Sequence, residues 1–418
     1  MVFPGLSLAL KITSLKNKKL HDTLAGHKGV WERTETQLKD RDNNKPTIWF
    51  HVASAGEYLQ ALPVMERLMA NDIQCALTIT SISGYRWANK RKINYPNLVL
   101  IDYLPLDTKQ NMQRLIATIK PTAIVYVKFD LWPNLIWEAN KRNIPQLLIS
   151  ATLHEKSKRV TNALGRSFYR SIYQSLTHIL TVTDDDKNRF IQNSPGITNV
   201  TTVGDTRFDS VLDRKKSLKA PELPGIDTDK PLLIFGSVWP SDEHHIFKGI
   251  LKALKTFPDL RLIIAPHETD EAHIKAIEET FSDYDCCRFS QLENHTESSH
   301  RIVIIDAVGF LSSLYLYADI AYVGGAFSTG VHNTMEPAAM GVPAIFGPFY
   351  QNSPEAMSMV KDEKCFSIKN SEEFENILFK LIKDVDYRTS KGQAAAKYIE
   401  QQAGASDACF SKIKDCIA

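Results

Sequence analysis

Apolar residues in this chain gather into short strand-length runs, and the stretches between them carry helical spacing. Thr47 to Ala53 is the first such run, closed by Ser54-Ala55-Gly56, and the spacing from Glu57 to Met69 predicts a helix. Cys75 to Thr80, Leu98 to Tyr103, Ala123 to Val127, Gln146 to Ser150 and His178 to Val182 continue the alternation. A second series runs through Leu232 to Phe235, Leu260 to Ala265, Ile302 to Ile305, Ile320 to Val323 and Ala344 to Phe346, then ends in helical segments. Strands that are apolar throughout, each followed by a helix, predict an α/β protein with parallel sheets covered on both faces, in the doubly wound manner. Between the two series, Leu212 to Lys230 holds Pro221, Pro224, Gly225 and several acids, and reads as a linker.

Length and composition agree with two domains. A chain of 418 residues, 43% hydrophobic and 23% charged, exceeds what one core usually organises. No apolar stretch approaches the roughly 18 to 20 residues needed to span a bilayer. The six cysteines include no Cys-x-x-Cys pair, and the vicinal Cys286-Cys287 suits neither a structural bridge nor a zinc site, so a reducing setting is the simplest reading.

The net charge of +2 conceals an asymmetry. Residues 1–210 hold 28 Lys and Arg against 18 Asp and Glu, giving +10, and the remainder, 22 against 30, gives −8. A basic first half suggests an anionic partner, whether a phospholipid surface, a phosphorylated acceptor or nucleic acid, although solvated faces of different charge would give the same count. Residues 1–27 combine Val2, Phe3, Leu6, Leu8, Leu10 and Ile12 with Lys16, Lys18 and Lys19, while Lys11 interrupts any signal-peptide core. An amphipathic segment at a membrane interface and a helix packed on its own domain both fit this pattern.

Two βα turns carry candidate chemistry. Gly324-Gly325-Ala326-Phe327-Ser328-Thr329-Gly330-Val331-His332-Asn333 follows the run Ile320 to Val323, and Glu336 stands one turn into the helix expected next. A glycine-rich turn leading onto a helix start offers backbone N–H groups and a positive dipole to a phosphate, and a glutamate there can hold sugar hydroxyls. In the first half, Glu57 follows Ser54-Ala55-Gly56 at the carboxyl end of the first strand. The helix dipole is expected to favour its ionised form, which could take a proton from an attacking hydroxyl; a helix-capping glutamate would look the same.

Four blocks together carry a resemblance. They are Ile48-Trp49-Phe50-His51-Val52-Ala53-Ser54-Ala55-Gly56-Glu57, then Tyr103-Leu104-Pro105-Leu106-Asp107, then Asp130-Leu131-Trp132-Pro133-Asn134, and His332-Asn333-x-x-Glu336-Pro337-Ala338-Ala339. In order and spacing they resemble the 3-deoxy-D-manno-octulosonic acid (Kdo) transferases of lipopolysaccharide assembly, from about Lys28 to the last helices.

The resemblance implies a GT-B glycosyltransferase: two Rossmann-like domains facing a cleft, the acceptor domain at 28–211, a linker at 212–230, the nucleotide-sugar domain at 231–395 and a last helix, 396–418, crossing back to the first domain. The implied donor is CMP-Kdo and the implied acceptor the tetraacylated lipid A precursor lipid IVA. Transfer would invert the anomeric centre and need no metal or other cofactor, at the cytoplasmic face of the bacterial inner membrane. Glu57 falls on the family's catalytic glutamate and Glu336 on its nucleotide-binding glutamate. Ser237, His267, Gly324, Gly325, Gly330, His332 and Asn333 become donor-site candidates. Ser54, Gly56, Lys90, Arg91, Lys92, Asp130 and Arg207 become acceptor-side candidates.

Two departures stand out. Ala265-Pro266-His267 lacks the arginine that many members place before this histidine, and Lys128-Phe129-Asp130 replaces Glu-Thr-Glu. Asp184-Asp185-Asp186 reads as a helix start rather than a metal cluster, and the adjacent His244 and His245 point in different directions from a helix. Basic residues are not interleaved with an aromatic platform, which argues against nucleic acid. Two alternatives remain at this stage: a UDP-sugar 2-epimerase on the same frame, and a non-catalytic nucleotide-sugar-binding protein.

Overall fold

The computed structural model describes residues 26–91, 95–157, 159, 162–223, 225–294 and 300–417. Nearly all of the expected interfacial segment 1–27, and Lys92, lie outside the described residues. The chain divides into two compact units, Met1–Ser210 with Gln402–Ala418, and Val211–Gln401.

The first unit holds β1 (Thr47–Val52), β2 (Gln74–Ile79), β3 (Leu98–Tyr103), β4 (Ala123–Val127), β5 (Gln146–Ala151), β6 (His178–Thr181) and β7 (Val200–Thr202). They form one seven-stranded sheet in the order β3-β2-β1-β4-β5-β6-β7, every pairing parallel. The continuous apolar runs follow from burial on both faces. Ile48, Phe50 and Val52 of β1 join Tyr58, Val64 and Leu77 on one face, whereas Trp49 joins Met112, Leu135 and Ile172 on the other. Each such side chain contributes roughly 1.5–3 kcal/mol when fully buried. The last helix, Ala405–Ile417, adds Cys409 and Ile413 to the first of these faces. Asp209 fixes its start by accepting from the N–H groups of Gly404 (2.7 Å) and Ser406 (2.9 Å).

The second unit holds β8 (Leu232–Val238), β9 (Arg261–Pro266), β10 (Cys286–Arg288), β11 (Ile302–Ile304), β12 (Ile320–Val323), β13 (Ala344–Phe346) and β14 (Phe366–Ser367). Its sheet order is β10-β11-β9-β8-β12-β13-β14, again parallel throughout. In the first sheet the winding reverses between β1 and β4, and in the second between β8 and β12. Ligands of open α/β sheets sit outside the carboxyl ends of strands at such reversals.

The segment 212–230 differs from the expected linker. The helix Thr206–Ser217 runs through its first six residues, and the division between the units falls inside that helix. Its polar sequence hid it, because only a few of its positions are apolar. Among the described residues, no helix is long and apolar enough to cross a membrane.

The helix Val385–Gln401 meets the turn after helix Met335–Ala339 at Gly392. A Cβ at that position would lie 1.8 Å from the Gly341 carbonyl oxygen and 3.2 Å from Pro343 Cδ. Helix propensity alone would favour alanine there by about 1 kcal/mol. Gly392→Ala is expected instead to destabilise the protein by about 2 kcal/mol or more, seen as a lower unfolding midpoint in urea. An unchanged or raised midpoint would contradict the close approach.

Candidate active site

In the first unit, the site assembles at the reversal between β1 and β4. Ser54 is the N-cap of helix Ala55–Ala70, its hydroxyl accepting from the Glu57 N–H at 3.4 Å. The Glu57 carboxylate turns back to accept from the Ala53 N–H. Glu57 is therefore partly a capping residue, and at 6% exposure it is buried as well. The expectation that the dipole would favour its charge is corrected by that burial. Desolvation pushes its pKa up, the Ala53 N–H opposes this, and the Asp130 carboxylate raises it further against Lys128 and His51. A carboxyl raised in this way is a better proton acceptor than an ordinary surface glutamate.

Asp130 is held by side chains that the sequence reading did not assign. His51, fully buried on β1, places Nε2 3.0 Å from Asp130 Oδ2, and the Thr80 hydroxyl donates to the same oxygen at 3.2 Å. His51 Nδ1 lies 2.9 Å from Thr78 Oγ1, which also accepts the Trp49 indole N–H at 2.8 Å. With Nε2–H given to Asp130, a ring carrying one proton accepts at Nδ1, where Thr78 has its O–H to give. Burial works to raise the Asp130 pKa, but the contacts with His51, Trp132 and Thr80 hold it below the usual carboxylate value. Two neighbouring carboxyls are thus driven in opposite directions.

The other acceptor-side candidates are more scattered. Gly56 is exposed beside Glu57, and Lys90 is exposed on helix Ile82–Arg91. Arg207 is paired with Asp205, which accepts from its backbone N–H at 2.9 Å and its Nε at 2.8 Å. For Arg91 only the helical backbone is described.

In the second unit, the turns after β8, β9 and β12 come together. Ser237 takes a left-handed backbone, φ 54°, and its carbonyl oxygen would lie 2.1 Å from a Cβ on Gly324, so only glycine lets these two turns touch. Asp242, fully buried in the first turn of helix Pro240–Thr256, ties them together. Its carboxylate accepts from the N–H groups of Trp239 (3.0 Å) and Gly325 (2.9 Å) and from the Tyr322 hydroxyl (2.9 Å). Nothing local in the sequence shows that Asp242 reaches a turn 83 residues away.

Trp239, His267 and His332 form a stack. Ring centroids are 4.2 Å apart for Trp239 and His267 and 4.7 Å for His267 and His332, with interplanar angles of 20° and 14°. The Trp239 indole N–H donates to His332 Nε2 at 2.8 Å, so that nitrogen is unprotonated. Burial, with His267 beside it, pushes the His332 pKa down. A cavity of about 300 Å³ opens beside Trp239 and His267, bordered by Glu243 and His273.

The expected cradle of free N–H groups differs in detail. Those of Gly324, Gly325, Ser328, Gly330, Val331 and His332 are all engaged within the protein. The helix that follows, Met335–Ala339, has only five residues, so its dipole is short. Asn333 accepts from the Met335 N–H at 3.1 Å and also hydrogen-bonds Glu336. Glu336 is largely buried, which raises its pKa against the nearby Arg214 guanidinium, whose Nη1 donates to it at 2.7 Å.

Comparison with known proteins adds likenesses of sequence and fold. Residues 28–210 match the family model described as 3-deoxy-D-manno-octulosonic-acid transferase (kdotransferase). The 3-deoxy-D-manno-octulosonic acid transferase of Chlamydophila psittaci is 26% identical over 375 residues, covering 88% of this chain and 85% of the relative. The first unit thus matches the Kdo transferase family model, and most of the chain is similar to curated Kdo transferases. Its fold is that of the GT-B enzymes. A UDP-GlcNAc 2-epimerase from Neisseria meningitidis, solved with UDP-GlcNAc, superposes with a TM-score of 0.59 at 15% identity, covering 85% of this chain and 99% of that one. A glycosyltransferase from Rickettsia africae does so with a TM-score of 0.57 at 12% identity, over 90% and 99%. These two likenesses concern the fold alone.

The Asp242 carboxylate faces three donors, and an asparagine could accept from only some of them while its NH₂ met the others. Asp242→Asn is expected to cost about 2–3 kcal/mol in urea unfolding, against about 1 kcal/mol for Tyr322→Phe, which removes a single donor. Equal effects of the two substitutions would show that Asp242 does not hold the turns together.

Proposed function

We propose that this protein transfers Kdo from CMP-Kdo to a hydroxyl of lipid IVA with inversion at the anomeric carbon, as a peripheral protein on the cytoplasmic face of the bacterial inner membrane. The observation that carries this reading is Glu57, a buried carboxyl with a raised pKa at the sheet reversal of the family-matched unit. In this reading Glu57 takes the proton of the acceptor hydroxyl as its oxygen attacks the anomeric carbon in line. The bond from that carbon to the CMP phosphate breaks, and the phosphate leaves with the electron pair. Glu336 accepts from the ribose hydroxyls, and Trp239, His267 and His332 line the donor side. The net charge of +10 on residues 1–210 supports an acceptor that carries phosphates in an anionic membrane surface. Every step uses side chains of the protein and the two substrates, and none calls on a metal or other cofactor.

Incubation of the purified protein with freshly generated CMP-Kdo and lipid IVA, read by mass spectrometry of the lipid, tests the reaction. The wild type is expected to add Kdo, and Glu57→Gln to lose at least about a thousandfold in rate while binding CMP as before. A Glu57→Gln protein as active as the wild type would remove the base assignment.

The proton acceptor must be ionised, so kcat/KM should rise with pH through the raised Glu57 pKa. Asp130→Asn removes a negative neighbour and lets Glu57 ionise more readily. The acid limb of the profile is therefore expected to move to lower pH, whatever the change in absolute rate. A limb that stays in place or moves up would show that Asp130 does not tune Glu57.

A further inference from the structure

The donor reading leaves an anion without a cation. A nucleotide-activated sugar acid carries a phosphate and a carboxylate, yet the end of β9 and the residue after it read Ala265-Pro266-His267, with no arginine or lysine. His332 accepts at Nε2, and the N–H groups of the glycine-rich turn named above are engaged. Positive charge reaches this region from elsewhere in the same unit. Two neighbouring residues near the end of helix Thr206–Ser217 extend to helix Met335–Ala339. Arg214 donates to Glu336 Oε1 at 2.7 Å, and Lys215 donates to the Ala339 carbonyl at 2.6 Å.

The two cations differ in what they leave available. The Lys215 ammonium is a point charge already set on a carbonyl. A guanidinium has five N–H groups in a planar fork, and a carboxylate on one edge leaves the other edge open. The Arg214 side chain is 31% exposed, against 14% for Glu336, and Nη1 to Glu336 is its single hydrogen bond among the described residues. Its place is also suitable. Tyr315, whose pKa burial and then Glu336 push up, sits with its hydroxyl 2.1 Å from where a Cβ on Gly236 of β8 would be. The Glu336–Arg214 pair therefore stands near the carboxyl end of β8, beside the reversal in the sheet.

We propose that Arg214 is the cationic residue of the donor site, fixed along one edge by Glu336 and binding an anionic group of the donor, phosphate or sugar-acid carboxylate, through its remaining N–H groups. This rests on the donor reading given above. A planar fork shared between two anions keeps the buried Glu336 charge compensated before and after the donor arrives.

The test compares CMP, cytidine and CMP-Kdo on the full-length protein and on Arg214→Ala, Arg214→Lys and the pair Arg214→Gln/Glu336→Gln. The pair leaves no uncompensated buried charge and guards against misfolding of the alanine variant. If the phosphate is the ligand, CMP affinity falls about 10- to 100-fold in Arg214→Ala while cytidine affinity holds, and lysine restores only part of it. If the carboxylate is the ligand, CMP and cytidine bind as before and KM for CMP-Kdo rises by a similar factor. Parallel losses for CMP and cytidine in the single Arg214 variants would reduce Arg214 to a brace for Glu336 and overturn the proposal, as would no change with any of the three ligands. Failure of the wild type to bind CMP or CMP-Kdo would overturn the donor reading itself, and the proposal with it.

Discussion

The second unit depends on a buried carboxylate that serves as a knot. Asp242 has no cation beside it among the described residues; three donors from three places in the chain satisfy it, the Trp239 and Gly325 N–H groups and the Tyr322 hydroxyl. A buried charge is tolerated only when its acceptor capacity is filled, so each of these partners is fixed as firmly as Asp242 itself. The result is a rigid junction of the turns after β8 and β12. Gly324 is needed because those turns touch, and Trp239 is held where its ring can stack on His267 and its N–H can set the tautomer of His332. The geometry of this cluster thus descends from one desolvated carboxylate.

The first unit uses carboxyls differently. Asp130 and Glu57 both lie at the sheet reversal, and their surroundings push them apart. The contacts with His51, Trp132 and Thr80 outweigh burial at Asp130, whereas burial outweighs one backbone N–H at Glu57. The Asp130 charge then adds to the cost of ionising Glu57. Two acidic groups in one site with divergent proton affinities are a common way of separating a fixed charge from a proton acceptor. Here the separation begins in the core, with the Trp49, Thr78 and His51 side chains on adjacent strands β1 and β2.

What could be read from the sequence follows from the range of the signal. Strands buried on both faces appear as apolar runs, and β1 to β6, β8, β9 and β11 to β13 were all legible. The strands β7 (Val-Thr-Thr), β10 (Cys-Cys-Arg) and β14 (Phe-Ser) are short and partly polar, whereas the equally short β11 and β13 are apolar throughout and so register as runs. The helix Thr206–Ser217 escaped because its stretch of arginines and lysines next to a proline-rich segment looks like a solvated linker. The placement of Glu57 and Glu336 at helix starts was legible because a turn marks each position locally. The contacts of Asp242, His51 and Arg214 were not, since their partners lie 83, 79 and 122 residues away.

Glu57 also shows why the capping and catalytic readings of one residue need not compete. A carboxylate that accepts from a backbone N–H at a helix start is oriented by that bond, and the bond favours its ionised form. On an exposed helix this would make an ordinary, weakly basic cap. Because Glu57 is buried and Asp130 is near, the same bond instead restrains an upward shift in proton affinity and keeps the carboxyl in one orientation. Two residues that cap helices, Glu57 and Asp242, are therefore used in opposite ways in the two units: Glu57 accepts one backbone N–H and is raised in proton affinity, whereas Asp242 accepts from three donors and holds its turns in shape.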